Sequence, residues 1–150
     1  MCDEPITFQE CTFVVQKSMK LNKSPGLDGL PAEFYQTFWP TIGPFLVEVY
    51  QEAFSHGKLS NSQCKAVITL IPKTGDKFLL KNYRPISLTN CDYKILAFVL
   101  AKRLEKVMSG VINFDQTGYI QNRFIGCNIR LIQDLIDFTD KYNKEGALLF

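Results

Sequence analysis

The chain has 150 residues, enough for a sizeable core, and its 46% apolar and 21% charged content is that of a water-soluble fold rather than a disordered or fibrous one. No apolar run approaches the ~20 residues of a membrane span. Met1-Cys2-Asp3-Glu4 also lacks the basic and then apolar character of a signal peptide, so an intracellular location (nucleus or cytoplasm) away from membranes is expected.

The net charge of +2 conceals a segregation. Met1 to Gly57 holds three basic and seven acidic residues, Lys58 to Arg130 twelve basic and four acidic, and Leu131 to Phe150 two basic and four acidic. A middle segment this basic suits a polyanion-binding surface, and a solvated basic face is the other reading. The five cysteines are scattered and odd in number, no Cys-x-x-Cys occurs, and His56 is the only histidine. A zinc knuckle or disulfide framework is therefore not expected, and the thiols read as reduced and structural.

In chain order, Thr7-Phe8-Gln9-Glu10 has the pattern of a capping box, predicting a helix to about Leu21. Asn22-Lys23-Ser24-Pro25-Gly26-Leu27-Asp28-Gly29 is dense in turn residues and has neither helical nor strand period. Pro31 suits a first helical position and opens a short helix through Phe38. A second helix is predicted from Ile42, Phe45, Leu46, Val49, Tyr50, Ala53 and Phe54, stopping at Gly57. Ala66-Val67-Ile68-Thr69-Leu70-Ile71 and Ile86-Ser87-Leu88 read as antiparallel strands joined by a loop of about eleven residues. Thr89-Asn90-Cys91-Asp92 reads as another capping box, beginning a helix to about Met108 with Leu96, Leu100, Leu104 and Val107 as its buried stripe. A loop from Ser109 to Arg123, a helix from about Ile125 to Tyr142 and a strand beginning at Ala147-Leu148-Leu149-Phe150 complete the chain.

The chemistry-bearing residues cluster around the hairpin. Its loop carries Lys73, Lys77 and Lys81 against Asp76 alone, and Arg84 follows. Pro72 ends the first strand, leaving Lys73 at its exit; Pro85 holds Arg84 extended at the entrance of the second. Exit and entrance lie at the same end of an antiparallel hairpin, so the two cations are expected to converge. An ammonium beside a planar guanidinium suits a polyphosphate; a lysine-rich tip kept soluble by its charges is the plainer reading. Opposite the leucine stripe of the next helix, Lys94, Phe98, Lys102, Glu105 and Lys106 share a face on which a base could stack between cations. Asp134, Asp137 and Asp140 share a face with Arg130 and Lys141 at i,i+4 spacing, a solvated face rather than a metal site. His56 reads as a helix-terminus residue. There is no Asp-Asp, no Gly-rich phosphate loop and no Gly-x-Ser-x-Gly, so the residues alone form no recognisable catalytic centre.

Three blocks in series resemble the reverse transcriptase domain of LINE-type (non-LTR) retroelements. They are Asn22-Lys23-Ser24-Pro25-Gly26-Leu27-Asp28-Gly29, then Ile71-Pro72-Lys73 with Tyr83-Arg84-Pro85-Ile86-Ser87-Leu88, then Asp115-Gln116-Thr117-Gly118-Tyr119 with Arg123-Phe124-Ile125-Gly126. The resemblance implies an α+β fold, the fingers and the start of the palm of a right-hand polymerase that copies RNA into DNA. Residues 1–57 would be a helical N-terminal region, 58–123 the fingers hairpin, helix and template-side loop, and 124–150 a helix and the first palm strand. Lys73 and Arg84 would contact the triphosphate of an incoming deoxynucleotide. Lys23, Ser24, Gly26, Gln116, Gly118 and Arg123 would lie along the template, and the basic residues Lys77, Lys81, Lys102 and Lys106 would add nucleic-acid contacts. RNA template, DNA primer and deoxynucleoside triphosphate would be the partners. The complete family enzyme uses two Mg2+ ions held by palm aspartates. This chain departs from the pattern by ending before both aspartate blocks. No cofactor is therefore expected here, and the chain alone is expected to bind without turnover, with one side of the fingers uncovered and solubility poor. A non-catalytic nucleic-acid-binding module and a helical scaffold or interaction protein are the alternatives.

Overall fold

The computed structural model describes residues 3–146. In order, the elements are α1 (Phe8–Phe13), α2 (Ala32–His56), β1 (Ala66–Pro72), β2 (Tyr83–Thr89), α3 (Cys91–Val111) and α4 (Gly126–Tyr142), an α+β arrangement. The chain divides into two units, one ending at Arg103 and the other starting at Leu104. The strand expected at 147–150 lies outside the described residues.

The capping box at Thr7 is present. Thr7 Oγ1 accepts the Glu10 N–H at 3.3 Å and the Glu10 carboxylate accepts the Thr7 N–H at 3.0 Å. After Phe13 the helix widens into a π-helical turn, Val14–Ser18, closed where Met19 N–H meets Val14 O at 3.1 Å. It stops short of the expected Leu21, which stays exposed, and Asn22 follows in the left-handed region at φ 57°.

Between Pro31 and Gly57 there is one 25-residue helix instead of two, with Pro40 and Pro44 inside it, and Pro31 is the residue before it rather than its first. A proline inside a helix removes a hydrogen bond and crowds the preceding turn, costing about 3 kcal/mol. Burial offsets that cost. Tyr35, Trp39, Gly43, Val47 and Tyr50 form one buried stripe that runs past both prolines. Gly43 permits the close approach, because a Cβ there would lie 2.8 Å from the rings of Phe8 and Trp39. Phe8 stacks on Trp39 at 5.8 Å, and Trp39 Nε1 donates to Thr12 Oγ1 at 2.8 Å. Phe45, Val49 and Phe54, expected inside, stay exposed. Gly57 ends the helix in the left-handed conformation at φ 63°, as its position predicts.

β1 and β2 pair antiparallel with Ala66 opposite Thr89 and Pro72 opposite Tyr83. Thr89 is the last residue of β2, so the expected capping box there does not form. Asn90 precedes α3, and its carbonyl accepts the Lys94 N–H at 3.2 Å. The buried stripe of α3 is Cys91, Ile95, Leu96, Val99 and Arg103; Leu104 is 53% exposed. Arg103 takes the place expected of a leucine because its guanidinium is saturated. Nε and Nη2 bind the two Glu10 carboxylate oxygens at 2.7 Å each, Nη2 also donates to Pro5 O at 2.8 Å, and Nη1 donates to Glu4 O. That bidentate pairing holds the Glu10 carboxyl at a pKa of about 2.

The helices of the first unit, and not the hairpin, enclose one core built from Ile6, Cys11, Val14, Val15, Trp39, Tyr50, Ile95 and Val99 among others. Burial pushes the Cys11 thiol up to about 12, so it behaves as a small apolar residue. Cys64 and Cys127 are exposed thiols. In the second unit α4 begins at Gly126, within a residue of the expected start, and ends at Asn143 in the left-handed region. Arg130 and Asp134 form the expected exposed i,i+4 pair at 3.3 Å. No described helix is long and apolar enough to cross a membrane.

Candidate nucleic-acid interface

The hairpin sets where its cations stand. Ile71 is opposite Arg84, and the ladder continues one step beyond β1, where Lys73 N–H donates to Asn82 O at 2.6 Å. Because side chains alternate across a sheet, Lys73, Ile71 and Arg84 share one face. Lys73 and Arg84 are diagonal neighbours there, a relation that separates Cα atoms by about 7–8 Å. Both side chains are exposed. The Lys73 ammonium donates to Lys81 O at 3.5 Å, and Arg84 has no partner among the described residues. The register therefore brings both residues to the same end of the hairpin, as the two prolines imply.

The loop between the strands is ordered by its own groups. Asp76 Oδ1 accepts the Phe78 N–H at 2.9 Å, Asp76 O accepts from Asn82 Nδ2 at 2.7 Å, and Tyr83 Oη donates to Lys77 O at 3.0 Å. Gly75 sits at φ 119°, a conformation that favours glycine. The one acidic side chain in the loop is thus engaged in shaping it, while Lys77 and Lys81 are exposed. Phe78, which the sequence reading passed over, is 97% exposed between those lysines. A fully exposed aromatic amid cations has the makings of a base-stacking platform. Its signal in the sequence was present but bland: one Phe in a loop without period.

The Asn22–Gly29 loop is anchored at both ends. Asn22 N–H donates to a Glu33 carboxylate oxygen at 2.5 Å, and Gly29 N–H closes a turn on Gly26 O at 3.2 Å. Lys23 and Ser24 are exposed, and Gly26 packs against Asn90. On α3, Phe98 is 41% exposed and Lys102 is exposed, while Lys94 and Glu105 are half-buried.

The second unit carries Lys106, which is exposed, and the Gln116–Arg123 loop. Arg123 organises that loop. Nη1 donates to Asn113 O and, at 2.8 Å, to Gln116 O; Nη2 donates to Ile112 O at 2.9 Å and Ser109 O at 3.2 Å. Its charge therefore meets the carbonyls left free at the end of α3, a favourable placement for a cation. Gln116 is exposed, and Gly118 has open space where a Cβ would stand. Tyr119 is held outward at φ 61° and is fully exposed.

No family model matches the chain. It is 46% identical over 147 residues to a protein of the frog Xenopus laevis named as the uncharacterized 149 kDa protein of transposon TX1. The match takes in 98% of this chain and 11% of that protein, so the chain spans about a ninth of its relative's length. The chain is thus homologous to part of a transposon-encoded protein.

Proposed function

We propose that the chain is the nucleotide- and template-contacting part of a LINE-type reverse transcriptase, the fingers of a right-hand polymerase. One observation carries the reading: the exposed Lys73 and Arg84 stand on one face at one end of an antiparallel hairpin. The three sequence blocks in series and the homology to a transposon-encoded protein support it. In this reading the ammonium neutralises one phosphate, and the guanidinium fork binds another through paired N–H donors. Lys77, Lys81 and Phe78 lie alongside for a neighbouring strand. Among the described residues no group of three or more His, Cys, Asp or Glu could hold a metal ion. The function open to test is binding.

Titration of a fluorescent deoxynucleoside triphosphate tests the clamp. Charge-assisted hydrogen bonds contribute about 1.5–3 kcal/mol each. Lys73→Ala and Arg84→Ala are each expected to weaken binding about tenfold or more, with a deoxynucleoside monophosphate much less affected. Equal affinity of the wild type and both variants would refute the clamp. The exposed Phe78 favours a second reading, a nucleic-acid-binding module without a nucleotide site. That reading requires RNA binding that Phe78→Ala weakens and that deoxynucleoside triphosphates do not compete away.

A further inference from the structure

We infer that Asn90 is a positioning residue for the nucleic-acid surface, a clip that holds the Lys23–Gly29 loop against the root of the hairpin. The inference rests on the proposed template contact of that loop. Asn90 is 3% exposed, and its carboxamide works in both directions. Oδ1 accepts the Asp28 N–H at 3.4 Å, and Nδ2 donates to Ser62 O at 3.3 Å, on the approach to β1. A carboxamide offers a separate acceptor and donor for the two partners. The approach is close enough to exclude a side chain on the loop. A Cβ at Gly26 would lie 2.2 Å from Asn90 Oδ1, 2.5 Å from its N and 2.7 Å from its Cα, and the backbone atoms cannot swing away.

The post is firm. Asn90 is followed by the buried Cys91 and Ile95, and Tyr50 Oη donates to Asp92 O at 2.6 Å, tying the first turn of α3 to α2. In the loop Lys23, Ser24 and Leu27 are exposed, leaving it without a deep apolar anchor of its own. Its position is set by Glu33 at the start and Asn90 at the turn. Asn90 adjoins Thr89, at the opposite end of the ladder from Arg84. At ~3.3 Å per residue, the loop at the root and the cations at the far end are about 20 Å apart, the reach of several nucleotides. Asn90 thereby keeps the loop in register with the hairpin as the two ends of one track.

The test is a coupling measurement on the whole chain, using a labelled oligouridylate read by anisotropy over a salt series. In the wild-type background, Lys23→Ala is expected to weaken binding about threefold and to make the salt slope shallower by about one unit. With Asn90→Ala, or with Gly26→Ala made from the loop side, Lys23→Ala is expected to cost nothing further, while Lys77→Ala keeps its full effect. A merely structural role would weaken every contact alike and leave the Lys23 effect in place. An undiminished Lys23 effect in both backgrounds would overturn the positioning role while leaving RNA binding established. A wild type without salt-dependent RNA binding would overturn the proposed function and the positioning role together. Amide exchange adds an independent readout: Asp28 N–H is expected to lose protection in Asn90→Ala, and unchanged protection would overturn the clip itself.

Discussion

Arg103 is the residue on which the first unit's polar energetics turn. A guanidinium 4% exposed, shared between Glu10 and two backbone carbonyls, ties the segment before α1 to α3. Removing it leaves those acceptors and a carboxylate without their donor, so Arg103→Met is expected to cost about 2–4 kcal/mol in urea unfolding. The pairing also leaves a pH signature. The Glu10 pKa falls from 4.5 to about 2, so the folded state gains stability from the ionised carboxylate above the unfolded value and loses it as pH falls through the folded one. Stability is expected to decline between pH about 5 and about 2, and Arg103→Met should flatten that decline. An Arg103→Met variant with the wild-type profile would count against the pairing. Its position was legible as a cation in a helix, but nothing local marked it as buried. Its partners lie more than ninety positions away in the chain.

Among the elements, α2 departs most from local expectation. Its prolines argue for two helices, and tertiary burial on Trp39, Val47 and Tyr50 makes one. Pro40 and Pro44 are both exposed, so replacing either touches little except the backbone. Pro44→Ala is expected to stabilise the chain by about 1–2 kcal/mol, the regained helix bond being partly offset by the freer unfolded chain. A loss of stability would mean that the helix depends on the proline ring at that position. The hairpin and α3, by contrast, followed their local signals closely: β-branched runs, flanking prolines and apolar spacing located each to within a few residues. The stripe on α3 was misassigned beyond Leu100 because leucine periodicity alone does not reveal that an arginine has a better-paired place inside.

For the molecule as a whole, the notable feature is apolar surface left open. Ile68 is 66% exposed and Leu70 51%, on the hairpin face away from Lys73 and Arg84, and α4 has no fully buried residue. An exposed apolar hairpin with free edges favours association. The purified chain is expected to self-associate, and Ile68→Thr with Leu70→Thr to shift it towards monomer in sedimentation without changing triphosphate affinity. A monodisperse wild-type monomer would contradict this. The expectation of poor solubility thus has a definite location.

The linear order of residues by itself determined the hairpin, its turn-rich neighbours and the placing of Lys73 and Arg84 at one end of it. Proline geometry, strand alternation and capping act over a few residues and need no distant partner. The three-dimensional fold decided what depends on distance in the chain. It joined α2 across two prolines, buried Arg103 on Glu10 and set Asn90 against Gly26. Each of these exchanges a local cost for burial or hydrogen bonds supplied from far away, a balance that neither spacing nor propensity records.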